Sequence, residues 1–262
     1  MVLKYFKVDS FTNEIFKGNP ACVVPLSKWL DDNVLLKIAQ ENAVPETAFF
    51  IKDKDAFHLR WFTPEIEMDL CGHATLATAH VINTCFDFDQ KVIFFKTKMG
   101  NLKVTISDNM YFLNFPSRKP LSTSLPEKIK RALNKQPVEV YKSRDYLLIY
   151  DNQHDVENIT INRTIFDQIN LGVGGVIVSS VGNSTDFVSR FFTPQASILE
   201  DPVTGSAHCT LIPYWSSKLK KDKMDAIQLS ERGGQLKCQN LGDRVVIGGY
   251  AVLFAKGEFY LP

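Results

Sequence analysis

The chain has almost no net charge: across 262 residues, 30 basic side chains against 29 acidic ones leave +1. Without a strong field it has no long-range means of gathering nucleic acid or settling on an anionic membrane. Its densest basic run, SSKLKKDK, which ends at Lys223, reads as a solvated loop or helix end. Cysteine is scarce too. The five copies, at positions 22, 71, 85, 209 and 238, form no C-x-x-C pair. That argues against a disulfide framework and a structural zinc site, and reduced thiols fit a cytoplasmic protein. No stretch has the apolar length of a membrane span. The opening MVLKYFKVD alternates like a strand and lacks the apolar core of a signal peptide. A Walker A loop, an H-E-x-x-H pair and a G-x-S-x-G elbow are all missing. Gly172-Val173-Gly174-Gly175 is glycine-rich, but it leads into a strand rather than a helix, so no dinucleotide site is expected. With no cluster of metal ligands in the sequence either, the expectation is a protein that needs no cofactor.

What is present is a repeat. Arg60-Trp61-Phe62-Thr63-Pro64 returns as Arg190-Phe191-Phe192-Thr193-Pro194. Each copy leads through a short linker to a small-residue turn that opens an apolar segment. The first turn is Cys71-Gly72-His73-Ala74-Thr75 and the second is Thr204-Gly205-Ser206-Ala207-His208. The surrounding pattern repeats in the same order. In the first half, strands are expected over 21–26, 47–51 and 57–62, with helices over 31–41 and 72–83 and a hairpin around Met99-Gly100-Asn101. In the second, strands are expected over 146–150, 174–180 and 186–192, with a helix over 163–170 and a hairpin around Gly233-Gly234. The Pro- and Ser-rich segment 116–128 reads as the linker. The expected halves are therefore residues 1–117 and 118–262, with the terminal strand able to cross back to the first. The helix opening at Gly72 has little polar surface, which predicts that its own sheet encloses it.

The two turns carry different polar side chains, and that asymmetry is where chemistry is expected. A helix start presents unpaired N–H groups and a partial positive charge, and glycine lets a ligand approach the backbone. Gly72-His73 and Gly205-Ser206 thus read as anion cradles, or as glycines that only allow helix and sheet to pack closely. Glu46 precedes an apolar strand. It reads either as a proton shuttle with a raised pKa or as an ordinary acid in a connection. Asp201 reads as a polarising carboxylate or as an Asp-Pro turn, and His73 as a donor or relay or as a packed structural group. His80 and His208 read as structural. Cys71, beside a helix start, reads as a thiol of lowered pKa serving a racemase or as a small packed residue. A two-cysteine racemase is not expected, because Thr204 aligns with Cys71 while Cys209 lies further into the second helix.

These residues resemble a known family. Asp9, Phe11, Gly18-Asn19-Pro20-Ala21, Glu46-Thr47-Ala48-Phe49, both R-x-F-T-P segments, both turns with Asp201-Pro202-Val203 and Arg232-Gly233-Gly234 are similar to the phenazine-biosynthesis isomerase (PhzF-like) family, in order and along the whole chain. The resemblance implies an α+β, diaminopimelate-epimerase-like fold: two pseudo-symmetric halves, each a barrel-like, mostly antiparallel sheet around a central helix. It implies a cofactor-free site in the cleft between the halves. There Glu46 would move a proton between carbons of a small, cyclic carboxylic acid, supported by His73, Asp201 and Ser206, with Gly72 and Gly205 binding substrate. It also implies a homodimer. Asp69 and Pro202 lie nearest the places of the epimerases' two cysteines. A non-catalytic binding protein with the same fold and a racemase built on Cys71 stand as the rival readings.

Overall fold

The computed structural model describes residues 1–261. The chain divides into two compact units. One comprises Met1–Asn114 together with Ile247–Pro262, and the other Phe115–Val246. The first contains β1 (Val2–Ser10), β2 (Asn19–Pro25), α1 (Asp32–Asn42), β3 (Glu46–Asp53), β4 (Ala56–Phe62), the two-residue β5 (Glu67–Met68), α2 (Gly72–Cys85), β6 (Val92–Thr97), β7 (Gly100–Ser107) and most of β8 (Met110–Pro116). The second contains β9 (Leu121–Ser122), α3 (Glu127–Ala132), β10 (Glu139–Lys142), β11 (Tyr146–Ile149), α4 (Gln153–Glu157), α5 (Arg163–Phe166), β12 (Val176–Val181), β13 (Phe187–Phe192), α6 (Gly205–Leu219), β14 (Lys223–Gln228) and β15 (Gly234–Asn240). Strand β16 (Arg244–Gly249) leads back to the first unit, where β17 (Ala251–Tyr260) pairs with β1.

Each unit follows one topology. In the first, β1 is antiparallel to β2, β2 parallel to β3, β3 antiparallel to β4, β4 parallel to β6 and β6 antiparallel to β7. In the second, β10 through β15, taken in the order β10, β11, β12, β13, β14, β15, repeat that sequence of directions. The long helix enters at the same step, between the fourth and fifth strands of each series. The paired R-x-F-T-P arginines explain why that motif recurs. Arg60 grips Glu67 with two hydrogen bonds, Nε to Oε1 at 2.7 Å and Nη2 to Oε2 at 2.9 Å. Arg190 grips Glu200 in the same way, at 2.7 and 2.8 Å. Each guanidinium also lies over the phenylalanine two residues on, 5.1 Å from Phe62 and 4.9 Å from Phe192. Such forked pairs fix direction as well as distance. They hold the chain as it leaves β4 or β13 and turns toward the helix start.

Helix α2 is buried from Gly72 to Ala79 and again at Val81 and Ile82, packed on β1, β2, β3 and β17. Its polar residues cost little there, because Thr75 and Thr78 donate back to Cys71 O (2.5 Å) and Ala74 O (2.7 Å). Helix α6 is buried over most of its length. Trp215 stacks on Phe187 of β13 and donates Nε1–H to Ser179 Oγ of β12 at 2.9 Å. Pro213 sits inside this helix and has no N–H to offer Cys209 O. The Arg118 N–H takes that place at 2.8 Å, so the proline leaves no buried carbonyl orphaned.

The structure departs from the sequence-based expectation in the second unit. The helix expected over 163–170 spans only Arg163–Phe166. Asn162 caps it, and Gln168 and Ile169 then bond to carbonyls three residues back, which tightens the chain out of the α-helix. The expected linker 116–128 already contains β9 and the start of α3. Strand β10 and helices α3 and α4 have too few apolar positions to show periodicity.

Gly175 anchors the floor under β11 and β12. Its N–H binds Asp145 Oδ1 at 2.9 Å, and a Cβ there would lie 2.4 Å from Phe191 Cζ and 2.7 Å from Phe192 O. The carbonyl cannot rotate away. Gly175→Ala should therefore destabilise the protein by about 1–3 kcal/mol, the usual cost of overpacking. Urea unfolding checks this, and an unchanged midpoint would show that the strands yield instead.

Candidate active site

In the first unit four elements bring polar groups to one end of the sheet. Ser10 closes β1 opposite Asn19, which opens β2. Glu46 opens β3 in register with Ala21 of β2. His73 is the second residue of α2. The Ser10 hydroxyl donates to His73 O at 2.9 Å and fixes the helix start on the hairpin. The His73 ring lies between three partners. Nδ1 is 3.1 Å from the Asn19 amide nitrogen and 3.6 Å from Cys71 Sγ. Nε2 is 3.1 Å from Glu46 Oε2, off the line of a well-formed hydrogen bond. Sequence reasoning named Glu46, Gly72 and His73, and the structure gathers all three. Asn19 appeared there only as part of a motif and Ser10 not at all; their partner lies more than fifty positions away.

Burial decides the charge of this ring. His73 is 3 % exposed and Glu46 14 %. Desolvation pushes the His73 pKa down to about 3, so the imidazole is neutral at physiological pH. The donors Glu46, Cys71 and His73 lie close enough to suggest a metal site, although they are scattered in the sequence. Their directions fit one poorly. Sγ faces Nδ1 while the carboxylate faces Nε2, at two edges of one ring. A single ion needs converging lone pairs. The arrangement suits a proton donor beside a carboxylate better.

In the second unit the expected residues gather at the start of α6. Asp201 Oδ2 accepts from Thr204 Oγ1 at 2.5 Å. Gln228 then fixes the turn, taking the Thr204 N–H on Oε1 (2.8 Å) and donating to Asp201 O (2.7 Å). Gly205 opens the helix. Ser206 Oγ accepts from Arg144 Nη2 at 2.9 Å, and Arg144 is itself held by fully buried Asp145. Neither Arg144 nor Asp145 was singled out from sequence; the signal was a charged pair directly before the apolar strand YLLI. Neither long helix has a side-chain cap on its first N–H groups, unlike the short α4 and α5, capped by Asn152 and Asn162. Uncapped starts keep their donors available to an anion. His80 and His208 are engaged structurally, with Tyr111 Oη at 3.1 Å and Thr204 O at 2.9 Å.

The family model described as phenazine biosynthesis-like protein matches residues 8–257. An uncharacterised isomerase of Pseudomonas aeruginosa is 43% identical over 262 residues, covering 100% of both chains. The chain belongs to the phenazine biosynthesis-like (PhzF) family. A PhzF family crystal structure from Enterococcus faecalis, 46% identical, superposes with a TM-score of 0.94 over 100% of both chains. The α+β epimerase-like architecture extends further. A hydroxyproline epimerase of Agrobacterium vitis, 10% identical, shares the fold at a TM-score of 0.64 over 98% of this chain and 92% of its own. Among the described residues, no helix of this PhzF family member is long and apolar enough to cross a membrane.

Three desolvated histidines, buried His73 and His208 and half-buried His80, make its stability depend on pH. Desolvation lowers the pKa from 6.5 to about 3 for His73 and to about 4 for His80 and His208. Between those values and 6.5 the unfolded chain binds more protons than the folded one. Stability is then full above pH 6.5 and drains as pH falls toward 4, by up to about 1.4 kcal/mol per pH unit for each histidine. Urea midpoints at pH 7, 6 and 5 should fall in that order. Equal midpoints at pH 7 and 5 would mean that the histidines are protonated in the fold.

Proposed function

We propose that this chain, an isomerase, moves a proton between two carbons of a small, cyclic carboxylic acid without a cofactor, with Glu46 as the group that takes and returns it. The observation that carries the reading is the Glu46 carboxylate 3.1 Å from Nε2 of a buried, neutral histidine. A C–H bond next to a conjugated acid breaks, its proton goes to the carboxylate, and the electron pair enters the conjugated system. The protonated Glu46, whose carboxyl proton exchanges with solvent, then gives a proton to another carbon of that system, which restores the carboxylate, leaves an isomer and carries deuterium into it in D2O. Excluding water and positioning the substrate lower the barrier to such a step. His73 steadies the carboxylate, Asp201 polarises the substrate, and Gly72, Gly205 and Ser206 take its anionic group. The uncapped helix starts support that last assignment. The family resemblance adds a homodimer, which light scattering of the pure protein checks against the mass of one chain.

One observation favours a rival. Cys71 Sγ lies 3.6 Å from the same ring, so a thiol is also near the proposed chemistry. Incubation of the protein in D2O with a panel of cyclic carboxylic acids, read by mass spectrometry, identifies a substrate. With that substrate, Glu46→Gln should lose at least about two orders of magnitude in rate while calorimetry finds binding little changed. Full activity of Glu46→Gln with loss of activity in Cys71→Ser would replace this reading by the thiol mechanism. Binding with neither exchange nor turnover would make the protein a binding module.

A further inference from the structure

We propose that Asn19 is a positioning residue that keeps the His73 proton on Nε2, facing Glu46. The proposal rests on the reading of Glu46 as the proton-transfer group. Two groups address His73 Nδ1, the Asn19 amide nitrogen at 3.1 Å and the Cys71 thiol at 3.6 Å, and the first of them can only donate. A carboxamide nitrogen donates and does not accept. Nδ1 therefore carries the lone pair, and in a neutral ring the hydrogen is on Nε2. That is the nitrogen 3.1 Å from Glu46 Oε2. With the other tautomer, Nε2 would stand 3.1 Å from a carboxylate oxygen with no hydrogen of its own to offer it, and the Asn19 N–H would point at another N–H. The nitrogen that carries the proton is set by the bond its neighbour makes.

The device occurs twice, which sets it apart from incidental packing. Asn19 stands two residues before Ala21, where the parallel pairing of β2 with β3 begins. Arg144 stands two residues before Tyr146, where the parallel pairing of β11 with β12 begins. Asn19 donates to the second residue of α2, and Arg144 donates to Ser206, the second residue of α6. In each unit the same position in the topology fixes the first polar side chain of the enclosed helix. In the second unit this makes Ser206 Oγ an acceptor toward Arg144 and leaves its hydroxyl hydrogen to be donated elsewhere. The chain connecting β1 to β2 accepts strain to deliver Asn19. Phe11 and Phe16 adopt positive φ, 63° and 69°, and at Gly18 (φ +64°) a Cβ would lie 2.2 Å from Ser10 O.

The test is the tautomer itself, read from ¹⁵N NMR of the full-length protein with labelled histidine, which needs no substrate. Wild type should show Nδ1 as pyridine-type and Nε2 as protonated for His73. Asn19→Asp puts an acceptor opposite Nδ1 and should move a proton onto it. Turnover should then fall by about 10- to 100-fold, with KM and ligand affinity changed far less. Asn19→Ser, which can still donate, should restore the wild-type tautomer. A wild-type ring protonated at Nδ1 overturns the proposal even if no variant folds, and so does an Asn19→Asp protein that moves the proton without losing turnover. Neither result touches the Glu46 assignment, which the Glu46→Gln variant tests separately.

Discussion

The site depends on keeping one imidazole uncharged in a dry place. His73 is buried where an imidazolium would be costly, so it remains neutral, and its two nitrogens then have different jobs. One accepts from Asn19 and the other turns toward Glu46. This requires the β1–β2 hairpin, the start of β3 and the start of α2 to meet within tenths of an ångström. The enclosed helix gives the rigidity. Its small residues and back-bonded threonines let the sheet come close on nearly every side. A surface helix would leave the ring hydrated and its pKa near 6.5, and the distinction between the two nitrogens would be lost.

Duplication supplied the frame, and divergence supplied the chemistry. Both units use the same order of parallel and antiparallel strands and the same arginine–glutamate clamp before the helix. They differ in what the frame presents. The first presents a neutral histidine beside a carboxylate. The second presents a serine held by an arginine, and an aspartate locked into the turn by Thr204 and Gln228. On the proposed reading, the first set moves the proton, while in the second Ser206 takes the anionic group and Asp201 polarises the substrate.

Much of the fold was legible in the sequence because its signals are local. The R-x-F-T-P copies, the glycine at each helix start and the alternating strands needed no distant information. The role of the two arginines was not legible, since Glu67 lies seven residues beyond Arg60 while Glu200 lies ten beyond Arg190. Differing linkers hid a shared bond. Asn19 and Arg144 escaped for a related reason: each acts on a helix start far along the chain, and only the strand register brings them together. The shortened α5 shows the opposite failure. Residues 163–170 have helical spacing, but the bonds three residues back after Phe166 end the helix early.

The most direct test of the central claim is a crystal structure with a bound carboxylic acid whose exchanging carbon has been identified by deuterium. The account predicts that this carbon lies within about 3.5 Å of a Glu46 carboxylate oxygen, the range of a near-attack geometry, on the side of the carboxylate away from His73. An exchanging carbon in contact with Cys71 Sγ and out of reach of Glu46 would contradict it.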